Sequence, residues 1–333
     1  MASLYKRNSV WYVAEYIGGR RVYRSTKTTR KPDALRFLSQ FHDTPPKPRV
    51  ASFSAFLRDF LAFSQSNLAP SSYRCYKRVC KDFLSFAGNV PIDAVGPVDI
   101  EKFKIARLKT VKPVSVNIEL RMLKAAFGYA VKWGLIEKSP FKGVSFVRIP
   151  QQQPAFLVEG DIRKLLEVVD HPHLRDIILF AVHTGMRRGE IVNLRWENID
   201  FDHRVITVTS GNGFRTKTGR LYRIPMNETV YQTLGGRDKF AEYVFCGESG
   251  RRFSEGYITH RFKAYVRLAG LPESIHFHSL RHTFASTLAR MGVPLFDIQK
   301  LLNHSQISTT MVYSHLMPEH LRASVERLTL SMN

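Results

Sequence analysis

Several common chemistries lack their residues in this sequence. Only three cysteines, Cys75, Cys80 and Cys246, occur in 333 residues. An odd count with no C-x-x-C pair argues against both a disulfide framework and a zinc site, and points to a reducing compartment, the cytoplasm. No apolar run approaches the roughly 18 residues that a membrane span requires. Residues 1–7 have no apolar stretch, so they do not read as a secretory signal. There is no glycine-rich phosphate loop and no carboxylate cluster suited to a two-metal site, so neither a metal nor a cofactor is expected. Acidic residues are themselves scarce: 28 Asp and Glu face 50 Lys and Arg, a net charge of +22. Such an excess predicts a polyanionic partner, and without membrane features that partner is nucleic acid.

Proline punctuation divides the chain. Residues 44–49 (T-P-P-K-P-R) and 149–154 (I-P-Q-Q-Q-P) can continue neither a helix nor a central strand. They read as linkers between three domains, 1–44, 52–147 and 155–333. In the first, aromatic and β-branched residues 10–16 and 20–25 flank Gly18-Gly19 as a hairpin, and a helix runs through 34–38. Residues 1–49 hold eleven Lys or Arg against three Asp or Glu, which suits a small basic sheet laid in a DNA groove. In the second, Phe53, Phe56, Leu57, Phe60 and Leu61 start a series of helical periods that ends near Trp133 and Gly134. Basic residues such as Arg74, Lys77, Arg78, Lys102, Arg107 and Arg121 interleave with them. In the third, a helix covers 159–166, a buried helix covers 176–182, and a strand at 204–209 pairs with 220–225. Mostly helix follows Ser254, and apolar residues at helical spacing from Leu316 to Leu330 predict a tail that docks on a neighbouring protomer. The expected fold is multidomain and mainly α: a small basic β-sheet plus helix, an all-helical domain, and an α+β domain with a small antiparallel sheet.

Eleven of the twelve histidines lie beyond residue 170, which places any histidine chemistry in the third domain. Arg187 and Glu190 lie three apart at a helix start, where the helix end already favours anions and arginine adds a planar fork. His278 and Arg281 are again three apart and share one helical turn. His282, one step round from Arg281, is expected to point elsewhere. Leu301 and Leu302 face a core, and Asn303 suits the left-handed position at a helix end. His304 follows, and Tyr313 comes nine positions later. A tyrosine is a poor nucleophile near its ordinary pKa of about 10, and neighbouring arginines would favour the phenolate. Taken singly, each of these also fits a salt bridge, a core histidine or a packed ring. Together they form a set for attack on a phosphodiester.

Three blocks carry a resemblance: T-G-M-R-R-G-E-I-V-N-L-R-W from Thr184, H-S-L-R-H from His278, and L-N-H-S-Q-I-S-T-T-M-V-Y from Leu301. In their order and spacing the chain resembles the tyrosine recombinase (phage integrase) family along its whole length. Residues 116–127 look like that family's helical, SAM-like core-binding domain, and the basic sheet is similar to its arm-type domain. The resemblance implies a phosphate clamp of Arg187, Arg281 and His304, with His278 as a second hydrogen-bonding or proton-handling group. It implies a general-acid lysine on a β-turn, Lys217, with Arg215 and Arg220 nearby, and Glu190 as a bracing acid. Asn303 stands where the family more usually has glycine. Tyr313 would displace a 5′-hydroxyl, leave a 3′-phosphotyrosyl bond and exchange strands through a Holliday junction. The implied partners are double-stranded attachment-site DNA, three further copies in a homotetramer, and an excisionase or DNA-bending protein, at the nucleoid. Two rivals share parts of this pattern: a type IB topoisomerase, which relaxes DNA without exchanging partners, and a DNA-binding protein that has lost catalysis.

Overall fold

The structure is a computed structural model that describes residues 3–17, 20–42, 51–150, 153–211, 214, 216, 219–317 and 325, with all their side chains except those of 15–17, 20–21 and 40–42. The chain divides into two compact units, Met1–Pro150 and Gln151–Asn333. The expected turn at Gly18-Gly19, the linker at 44–49 and the tail beyond Met317, Val325 apart, lie outside the described residues.

The first unit opens with an antiparallel sheet in the order β1 (Ser3–Arg7), β2 (Val10–Ile17), β3 (Arg20–Ser25). The sequence reading had missed β1. Asn8 and Ser9 turn it into β2, both with positive φ (45° and 65°), as a tight two-residue hairpin demands. Tyr5 packs its ring 5.6 Å from Tyr12 and 5.3 Å from Tyr23, which pins the register across all three strands. Helix α1 (Lys31–His42) packs on β1 and β2, with Ala34 buried as are Val13 and Ala14.

Four further α-helices complete this unit: α2 (Phe53–Asn67), α3 (Pro70–Ala87), α4 (Pro97–Leu108) and α5 (Pro113–Lys132). Proline opens α3, α4 and α5, at the position where a missing N–H costs nothing. Ser52 caps α2 by accepting from the Ala55 amide. Asp99 closes the first turn of α4 on the Gly96 amide at 2.9 Å. The helical periods read from the sequence converge on Phe53, Phe56, Phe60, Phe83, Phe103 and Phe127, all buried.

The second unit holds α6 (Glu159–Glu167), α7 (Pro172–Thr184) and the short α8 (Arg188–Val192), then an antiparallel sheet of β4 (Ile199–Asp200), β5 (Val205–Val208) and β6 (Tyr222–Pro225). Helices α9 (Glu228–Gly235), α10 (Glu255–Leu268), α11 (Ser279–Arg290) and α12 (Leu295–Leu301) follow. The expected pairing of β5 with β6 is present, with Val208 opposite Tyr222. The two-residue β4 was too short to read. Helix α7 packs against both α11 and α9 over a core that includes Ile177, Phe180, Phe245, Phe262 and Leu280. A separate small core joins Ala285, Ala289, Ile298, Leu302 and Tyr313. After α12 the chain continues in two 3-10 turns, Ile307–Thr309 and Met311–Leu316. Among the described residues no helix is long and apolar enough to cross a membrane.

Candidate active site

One tight turn starts the site. Gly185 ends α7 in the left-handed region (φ 63°), and a Cβ there would lie 2.5 Å from Phe284 and 2.9 Å from Leu302, so only glycine fits. The turn delivers Arg187 as the N-cap of α8. Its amide donates to Glu190 Oε2 (2.9 Å), its Nη1 to Glu190 Oε1 (3.0 Å), and its Nη2 to the Asn303 carbonyl (3.4 Å). The Tyr222 hydroxyl, from β6, donates to the same carboxylate at 2.8 Å. Glu190 is 3% exposed. Arg187 and Glu190, which the i, i+3 spacing puts on one face, are thus bonded, and Tyr222 adds a support that no local signal announced.

Arg281, in the first turn of α11, is 3% exposed. Its Nη1 donates to the Gly185 carbonyl at 2.7 Å and its Nη2 to the Leu302 carbonyl. Both arginines thus rest on the end of α12, through the carbonyls of Leu302 and Asn303. Asn303 holds φ at 49°, the left-handed turn expected of it, and His304 comes next. His304 Nδ1 lies 2.9 Å from the Thr310 hydroxyl, which fixes its ring. Arg187, Arg220, His278, Arg281, His304 and Thr309 line a cleft of about 390 Å³.

The cleft is short of negative charge. Burial, then the charge of Arg187, pulls the Arg281 pKa down to about 10. Burial and nearby cations bring His304 down to about 3 and His278 to about 4. The His278 ring is open to the cleft, so water screens part of that effect. A site that resists its own positive charge is one that an anion would relieve. Among the described residues no group of His, Cys, Asp or Glu converges to hold a metal ion.

Tyr313 sits on the second 3-10 turn, 2% exposed, with its hydroxyl 2.6 Å from His282 Nδ1. Burial pushes its pKa up to about 12, against the pull of Arg281. The expectation that His282 points away is corrected here. Measured from Arg281 it lies about 100° round the helix, but measured from His278 it is i+4 and lies on nearly the same face. The His278 and His282 rings meet edge-on, 4.9 Å apart. Lys217 lies outside the described residues. Its neighbours Thr216, bonded to Ser210 Oγ at 3.1 Å, and Arg220 lie in the segment joining β5 to β6.

Comparison with known proteins decides what kind of molecule carries this cleft. The model of the phage integrase family matches residues 155–320, that of the phage integrase N-terminal domain 3–44, and that of the phage integrase SAM-like domain 52–149. The tyrosine recombinase XerA of Pyrococcus furiosus is 32% identical over 225 residues, which cover 66% of this chain and 76% of XerA. The chain belongs to the tyrosine recombinase family. It is a site-specific DNA recombinase of the multidomain, mainly α kind. The recombinase shares its fold with the Tn1549 transposon integrase in complex with a circular intermediate DNA (24% identity, TM-score 0.71, 83% of this chain and all of that one). It also shares it with a lambda integrase tetramer bound to a Holliday junction (17% identity, TM-score 0.66, 92% of this chain and 96% of that one).

Proposed function

We propose that the recombinase cuts and rejoins double-stranded DNA with Tyr313 as the nucleophile and the cleft of Arg187, His278, Arg281 and His304 as the phosphate site. The convergence of two buried-braced arginines and two histidines on one cleft deficient in negative charge carries this reading. Arg187 and Arg281 grip the non-bridging oxygens, and both are held from behind by carbonyls, so little reorganisation is left to the reaction. His304, fixed by Thr310, donates to the same phosphate, and His278 is the second hydrogen-bonding group. Glu190 braces Arg187. Lys217 protonates the leaving 5′-oxygen, and the product is a 3′-phosphotyrosyl bond that a 5′-hydroxyl of the partner duplex resolves. One phosphodiester becomes one phosphotyrosine and back, so no nucleotide is consumed.

In this reading residues 1–44 contact arm-type DNA, residues 52–147 grip the core site, and residues 155–333 catalyse. The net charge of +22 and the basic first 49 residues support both contacts. Four copies act together on two duplexes, as the lambda tetramer's fold suggests, to integrate or excise a mobile element, with an excisionase or DNA-bending protein setting direction at the nucleoid. A nicked suicide duplex carrying the cognate site should trap a covalent protein–DNA complex, and Tyr313→Phe should abolish it. A complex that survives Tyr313→Phe, or none with wild-type protein, refutes the assignment.

A further inference from the structure

The Tyr313 hydroxyl is shut away from water and must still lose its proton before or during attack. Its neighbour at 2.6 Å is His282 Nδ1, an atom for which the phosphate site has no other use. We propose that His282 is the proton acceptor for Tyr313, a catalytic residue that takes the phenolic proton as the phenolic oxygen bonds to phosphorus. This rests on the reading of Tyr313 as nucleophile.

Three observations carry it. First, Tyr313 is 2% exposed, so solvent is not available as the base and a protein group must serve. Second, the contact allows the right sense: with the imidazole neutral and its proton on Nε2, Nδ1 accepts and the phenol donates. Third, His282 lies one helical turn below His278, which lines the cleft, so the acceptor sits directly behind the phosphate site.

The electrostatics agree with this geometry. Burial, then the charges of His276 and Arg281, brings His282 down to about 4, so the ring is neutral at neutral pH and, in the Nε2–H tautomer, Nδ1 is ready to accept. The groups that face or act on it are His276, His278, Arg281, His304 and Tyr313. A phosphodiester anion in the cleft offsets the nearby cations and raises the proton affinity of His282. Proton acceptance is thereby tied to DNA in the site. The step balances: the Tyr313 O–H bond breaks with its proton going to Nδ1, the O–P bond forms, and the P–O5′ bond breaks with the leaving oxygen protonated by Lys217. Rejoining reverses each transfer, and the imidazolium returns its proton to the departing phenolic oxygen.

The test uses the full-length recombinase and a duplex whose scissile 5′-oxygen is replaced by sulfur, a leaving atom that needs no general acid. His282→Asn retains a hydrogen-bond acceptor but cannot take the proton. It should form the covalent complex about 100-fold more slowly at pH 7 on both the oxygen and the sulfur duplex, with the deficit shrinking as pH rises. Lys217→Ala should be slow on oxygen and restored on sulfur. Should His282→Asn fail to fold, the wild-type protein still decides, because its reaction on the sulfur duplex should be about twofold slower in D2O. His282→Asn that matches wild type, is restored by sulfur, or cleaves faster because it merely held Tyr313 back overturns the proposal, as does an absent D2O effect. Wild-type protein that forms no covalent complex would instead sink the functional reading beneath it.

Discussion

Two buried carboxylates, one in each unit, hold arginines in opposite ways. Glu119 in α5 accepts from Arg107 at 2.7 Å through both oxygens and from Arg78 at 3.0 Å. Burial alone would raise its pKa, but the bonds and charges of Arg107 and Arg78 outweigh that and hold it below the ordinary carboxylate value. Both arginines are raised in return, chiefly by their bonds to Glu119. In the second unit Glu190 accepts from Arg187 and Tyr222 but not from Arg281. Among the described residues Arg281 donates to neutral carbonyls, and both it and the cleft histidines are pushed towards losing their protons. The first cluster, where Asp82 also lies 3.6 Å from Arg78 and 3.7 Å from Arg107, is electrically complete and works as structure. Among the described residues the second holds one carboxylate, Glu190, for two arginines, and a site built short of one charge is a site for a ligand that brings it.

The contrast can be broken most sharply at Arg281. Arg281→Lys keeps a positive charge and loses the fork that spans Gly185 and Leu302. Covalent-complex formation in a single turnover should fall about 1000-fold. A fall of less than about tenfold would mean that the second cluster is as self-contained as the first. Next in size, Glu119→Gln should lower the unfolding free energy by about 2 kcal/mol, because it leaves two arginines with only the longer contacts to Asp82, while water reaches one of them. Denaturant melts check this, and at saturating DNA the cleavage rate should not change. A stable Glu119→Gln protein that cleaves slowly would overturn the structural reading.

Acid should separate the two clusters by a smaller margin. The folded state holds His278, His282 and His304 below their ordinary 6.5, so the unfolded chain binds the extra protons first. Their contribution is whole above about pH 6.5 and is lost as pH falls towards about 4 for His278 and His282 and about 3 for His304. Glu119 is depressed from 4.5, so its contribution is whole above that value and is lost only below it. Amide exchange followed from pH 7 to pH 5 should therefore show protection falling in residues 153–317 before residues 51–150. Equal losses in both would count against the charge-starved cleft.

The cleft was unevenly legible in the sequence. Arg187 with Glu190, and His278 with Arg281, were readable because i, i+3 spacing on a helix is a local rule. Asn303 was readable because few residues accept positive φ at a helix end. Tyr222 was not, since its bond to Glu190 crosses 32 positions and a strand tyrosine resembles any core ring. Glu119 was equally silent: its partners lie on other helices, 12 and 41 positions away. His282 had a usable signal, the i+4 step from His278, that comparison with Arg281 concealed. Strand β1 was hidden by its shortness and charge, and only its tyrosine partners on β2 and β3 give it a place.

Local periodicity and charge were enough for the longer helices, the pairing of β2 with β3 and of β5 with β6, and the basic character, because each depends on neighbours a turn or a strand pair away; the family resemblance rested on the three blocks from Thr184, His278 and Leu301. The depth of Tyr313, its bond to His282, and the resting of both arginines on the end of α12 depend on segments from 21 to 116 residues apart meeting at one point. No short-range rule reaches that far. Packing alone brings those segments together, and with them the missing negative charge that makes the cleft a place for phosphate.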